Sequence, residues 1–214
     1  MPSAAFQAFR YNIVDVDRLI ESHESLHGGT VGKKGLGHIT RSGIVMLCAS
    51  WELYLEMLSV EVAVHLSNEC ISPDLLPNKV QHVLAKMAKD SKHELKPLEF
   101  AGDGWKQVLK NHAEDLCRGI NTPKAGVINE LFHRVTGLEN ISDSWSHGKE
   151  KIDKFVSVRG DIAHTGRHAD YIKIGELSEY RAIIDLSAVE TDNALATYLR
   201  SISPKKIKPW KVTG

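Results

Sequence analysis

The sequence predicts an all-α fold, and three observations carry that prediction. Apolar residues recur at three- and four-residue spacings, alternating runs of strand type are almost absent, and glycine and proline cut the chain into helix-length segments. A first helix is expected from about Asp15 to His27, stopped by Gly28-Gly29. The loop GGTVGKKGLG follows. A long helix from about Ile39 to Asn68 has no internal proline and is apolar on most faces. Ile44, Leu47, Cys48, Trp51, Leu55, Leu58, Val62 and Leu66 mark it as the central buried helix. Pro73 and Pro77 then break the chain. Helices are expected over NKVQHVLAKMAKD (78–90), GWKQVLKNHAEDLCRG (104–119) and KAGVINELFHRVTG (124–137), the last two closed by Gly119 and Gly137. ENISDSW connects to a helix within 147–166, YIKIG reads as a short strand or an extended turn, and the last helix covers about 177–202 before Pro204.

A chain of 214 residues can bury a full core in one domain, here residues 1–203. The segment 204–214 holds four lysines and no acid and reads as a flexible basic tail. With 27 basic and 27 acidic side chains the formal charge is zero, which excludes coating of nucleic acid by bulk electrostatics and leaves room for a local basic site. Cys48, Cys70 and Cys117 are odd in number and widely spaced, against a disulfide framework or a cysteine-rich zinc site and in favour of reduced thiols in the cytoplasm. The first residues show no basic region leading into an apolar one, so no secretory signal is expected. The longest apolar run, Ile44–Ala49, is far shorter than a membrane span.

The helix within 147–166 carries the chemistry. On a wheel of about 100° per residue, Ile152, Phe155, Val156, Ile162 and Ala163 share one face, with Arg159 at its centre. A guanidinium keeps its proton and is costly to bury alone, so Arg159 must meet a carboxylate, a phosphate or a partner's surface. Glu52 on the apolar central helix is the candidate carboxylate; an internal ion pair and a functional role both satisfy the requirement. His164 lies outside the apolar stripe, beside the helix stop Thr165-Gly166. Asp161, three residues earlier, is close enough on a helix to orient the imidazole and favour its protonated form.

Arg159-Gly160-Asp161-Ile162-Ala163-His164 fits the R-x4-6-H motif of HEPN domains, which are all-α and include many ribonucleases. The neighbouring text resembles the RiboL-PSP-type branch. GIVMLCASWELYLEML is similar to its first long helix with a Trp-Glu-x-Tyr core, here Trp51, Glu52 and Tyr54. KAGVINELFHRVTGLENISDSW and FVSVRGDIAHTG resemble its later blocks, in the same order. The resemblance covers roughly residues 39–202. It implies a metal-independent endoribonuclease without a cofactor, working as a homodimer whose paired R-x4-6-H helices form one composite cleft. Arg159 and His164 would be catalytic, with Asp161 and Glu52 in support. The resemblance also implies an RNA substrate, a toxin–antitoxin or anti-phage setting, and an antitoxin or other regulatory protein as partner. One position departs from the family pattern: the residue after the motif arginine is usually polar, and here it is Gly160, with Asp161 one place later. A mid-helix glycine costs about 1 kcal/mol against alanine, so a close approach at the interface is one reading of it. A HEPN-like dimeric binding module without catalysis is the alternative that Gly160 keeps open.

Other motifs compete less well. His23-Glu24-Ser25-Leu26-His27 matches the H-E-x-x-H zinc motif, but it ends against two glycines and lacks a third ligand at metzincin spacing, so an exposed helix end is the better reading. Lys33 and Lys34 in the glycine loop fail the P-loop template and are candidates only for contact with an RNA backbone, as is Arg167. His164 and His168 are separated by a helix-breaking Thr165-Gly166, against a metal site. In the tail, Trp210 beside lysines could stack on a base.

Overall fold

The apolar stretch that begins near Ile39 becomes the axis of the molecule. In a computed structural model, which describes residues 1–27 and 35–213, eight α-helices form and no strand is present among the described residues. They are α1 (Ala4–Asn12), α2 (Val14–His27), α3 (Gly37–Glu69), α4 (Asn78–Asp90), α5 (Gly104–Cys117), α6 (Ala125–Thr136), α7 (Lys149–Thr165) and α8 (Ile174–Ile202). The glycine loop with Lys33 and Lys34 lies outside the described residues.

Helix α3 touches α1, α2, α5, α6, α7 and α8, while α4 packs on α5 and α6 at the edge. Leu47, Trp51, Leu55, Leu58 and Val62 are fully buried along it. By length and hydropathy α3 could cross a membrane, but 56% of the qualifying window is buried inside the fold, where it serves as the core helix. Trp51 and Tyr54 join Phe6, Phe9 and Trp145 in an aromatic cluster, and buried polar tips find partners. The Tyr54 hydroxyl donates to the Ala188 carbonyl at 2.9 Å and Trp145 Nε1 donates to Thr191 Oγ1 at 2.8 Å, both on α8.

Two glycines are required by geometry. A Cβ on Gly43 would lie 2.5 Å from Leu177 Cδ2, so its absence lets α8 close on α3. Gly137 stops α6 at φ +84°, a left-handed cap that side chains rarely adopt.

Three elements differ from the sequence reading. Helix α1 was not expected: the Ser3 hydroxyl caps it by accepting the Phe6 amide at 3.0 Å, and Phe6 and Phe9 bury its inner face. Residues 171–173 are extended and lead directly into α8, which starts three residues earlier than expected, with Glu176 accepting the Lys173 amide at 2.8 Å. The basic segment 204–213 suggested a free tail, yet it lies against the domain. Trp210 is buried and donates to the Asp192 carbonyl at 3.1 Å, Lys211 donates to the Met1 carbonyl at 3.0 Å, and Asn193 exchanges two hydrogen bonds with Thr213. One buried indole outweighs the four solvated lysines around it.

Candidate functional site

Helix α7 is built to present its C-terminal half. Asp153 in its first half accepts the Ala125 amide at 2.8 Å, tying α7 to the start of α6. Ile152, Phe155, Val156 and Ile162 are buried, and Phe155 packs on Tyr180 of α8. Ala163, expected on the buried face, is exposed, because the last turn runs beyond the core before Gly166 stops it. Arg159 meets Glu52 midway along α3, whereas Tyr171, past the end of α7, lies beside Gly37 at the start of α3. Helix α7 therefore runs antiparallel to α3.

The structure brings Arg159 and Glu52 together across 107 residues of sequence: Nη2 donates to Oε2 at 3.3 Å. Both side chains are about one-quarter exposed, at 27% and 22%. Fully buried Cys48 sits beside them; burial pushes its thiol up to about 11, with the guanidinium pulling the other way. Burial also raises the Glu52 carboxyl, and the Arg159 charge only partly offsets this. A single long bond to one carboxylate engages little of a guanidinium with five N–H donors. Arg159 is braced at the surface and remains able to bind a second oxyanion.

His164 and Asp161 are both exposed, and no hydrogen bond or ion pair joins them among the described residues. The expected contact does not form because both side chains reach water, where an ion pair gains little over solvation. The Thr165 hydroxyl instead closes the helix end by donating to the Asp161 carbonyl at 2.6 Å. Arg167 lies in the 3-10 turn Gly166–His168 just past α7, exposed on the same end of the molecule as His164. Gly160, next to Arg159, is mid-helix at ordinary helical angles, and a Cβ built on it meets nothing within 4 Å.

His23 is buried on α2 while Glu24 is exposed. Among the described residues no group of three His, Cys, Asp or Glu side chains could hold a metal ion.

Sequence reasoning missed the surface beside this site. Val45, Met46, Ala49, Leu53 and Met57 form an exposed apolar strip along α3, on the flank next to Glu52. Its continuation at Met57 and Val60 opens into a groove of about 760 Å³ bounded by α5. The signal was present: a helix apolar on nearly every face has more apolar surface than one domain of this size covers.

The sequence profile of the RiboL-PSP-HEPN family matches residues 11–197. The chain belongs to the RiboL-PSP-HEPN family. Comparison with curated proteins and with solved structures gave no match. The family match takes in α2 through most of α8, so Glu52, Arg159 and His164 all lie within the HEPN domain. HEPN domains are often ribonucleases. In this one the motif helix is packed against the core helix, with its arginine braced and its histidine free in solvent.

Proposed function

We propose that this RiboL-PSP-HEPN protein is a homodimeric, metal-independent endoribonuclease acting through Arg159 and His164. The observation that supports it best is the half-exposed Arg159 guanidinium, held through one donor by Glu52 beside an uncovered apolar strip on α3. Strand scission by internal transfer needs a base to take the 2′-hydroxyl proton and an acid to protonate the departing 5′-oxygen. Each chain offers one His164 beside its Arg159, so two copies meeting along the α3–α7 face supply both groups to one phosphate. The 2′-oxygen attacks phosphorus, one His164 takes its proton, the P–O5′ bond breaks, and the second His164 donates a proton to the leaving oxygen. Arg159 balances the charge that builds on the phosphoryl oxygens. The products are a 2′,3′-cyclic phosphate and a 5′-hydroxyl. Arg167 extends the cationic surface for the RNA strand. The family further suggests a cytoplasmic toxin–antitoxin or anti-phage role with a regulatory protein as partner; the three free, buried cysteines suit a reducing compartment.

The test is incubation with single-stranded RNA in EDTA, beside Arg159→Ala and His164→Ala. Cleavage that leaves cyclic phosphate ends, spares DNA of the same sequence and is lost in both variants is the expected result. Leu53→Asp combined with Met57→Asp should keep the fold, since both positions are exposed, and should give a monomer without activity. A folded, dimeric wild type that cuts no RNA moves the reading to a non-catalytic binding module.

A further inference from the structure

Glycine in the middle of a helix weakens it, so an unforced one needs a reason outside the helix. Gly160 is unforced within its own chain. Its backbone angles are ordinary for a helix, and a Cβ there would meet no atom within 4 Å. Gly43 differs, because a Cβ there would strike Leu177. Gly160 follows Arg159 and precedes His164 by four residues, so it lies in the stretch that must face the reacting phosphate. The α7 residue one turn before it presents little outward, because the Ser157 hydroxyl donates back to the Asp153 carbonyl at 2.9 Å. One turn after it stands exposed Ala163.

Helix axes pack about 8–10 Å apart according to the side chains at the contact. Two His164 groups and two Arg159 groups converge on a single phosphate only when the motif helices meet at the short end of that range. We infer that Gly160 is a positioning residue: its bare backbone is where α7 of the second copy closes, setting the spacing of the composite site. This rests on the dimeric reading above, and a two-fold axis would place the residue against its own counterpart or a near neighbour.

The inference makes stability and association move in opposite directions. Gly160→Ala should raise the melting temperature by about 2–4 °C, since the helix gains propensity and no clash arises. The same variant should weaken the dimer by roughly tenfold or more, as an inserted methyl group does in a packed contact. RNA cleavage should fall at low protein concentration and recover as concentration is raised. Gly160→Gln should show both effects with a larger loss of association. Gly126→Ala and Gly175→Ala, where the space is also open, are controls expected to leave association unchanged.

Analytical ultracentrifugation with thermal unfolding reads both quantities. A wild-type dimer whose Gly160→Ala and Gly160→Gln variants associate equally well overturns the inference and leaves the dimeric reading intact. Unchanged association with a higher KM for RNA would also overturn it, placing the RNA strand at Gly160 instead. A wild type that is monomeric at every concentration removes the dimeric reading and this inference with it.

Discussion

Replacing Asp192 by asparagine should stabilise the protein at neutral pH and flatten its pH dependence. Asp192 is fully buried on α8 and accepts hydrogen bonds from the Ser3 hydroxyl and, at 3.4 Å, from the Ser3 amide. Burial pushes its carboxyl from an ordinary 3.8 up to about 6, with the Ser3 bonds pulling down and the Glu61 charge pushing up. The folded protein thus holds this proton more tightly than the unfolded chain. The stabilisation is complete below about pH 4 and is lost as pH rises through about 6. Near neutrality the ionised group costs on the order of 3 kcal/mol, a one-unit shift being about 1.4 kcal/mol. Asparagine keeps an acceptor for the Ser3 hydroxyl and never ionises. At pH 7.5 the variant should gain about 1–3 kcal/mol, the lower figure allowing for its weaker acceptor. Urea unfolding from about pH 4 to 8 measures this. The difference between variant and wild type isolates Asp192 from His65 and His112, whose lowered values act in the opposite direction. An unchanged slope between about pH 4 and 6, with no gain at pH 7.5, would refute the reasoning.

Two further predictions concern the site and the strap. Glu52→Gln removes the carboxylate that braces Arg159 while keeping its shape. Because both partners are partly solvated, denaturation should show a loss of only about 1 kcal/mol. RNA cleavage should lose about tenfold in kcat with KM little changed, since Arg159 stays in place but is less firmly aimed. Trp210→Ala removes the indole that pins residues 204–213 to α8 and should cost about 3 kcal/mol. Limited trypsin digestion, followed by mass spectrometry, should then cut rapidly at Lys205, Lys206 and Lys208, sites that the wild type protects.

Much of the fold was legible because helix signals are local. Pro73, Pro77, Gly119 and Gly137 mark boundaries through backbone rules that hold within a few residues. Arg159 on an apolar face was likewise readable from one helix period, as was the chemical need for an acid nearby. Helix α1 was less legible: it is nine residues long, and its start rests on one Ser3 cap. The Asp161–His164 contact was expected from spacing alone, but spacing does not say that both groups face water.

By itself the sequence determined the all-α class, the family, and the placement of an arginine and a histidine near the end of one helix. It did so because periodicity, capping and motif spacing are properties of neighbouring residues. Tertiary structure alone decided that Glu52 supplies the carboxylate, that Cys48 lies beside it, that Trp210 draws a lysine-rich segment onto the domain, and that one apolar side of α3 stays uncovered. Each of these depends on which distant helices fill the space around α3, and that follows from packing the whole chain at once.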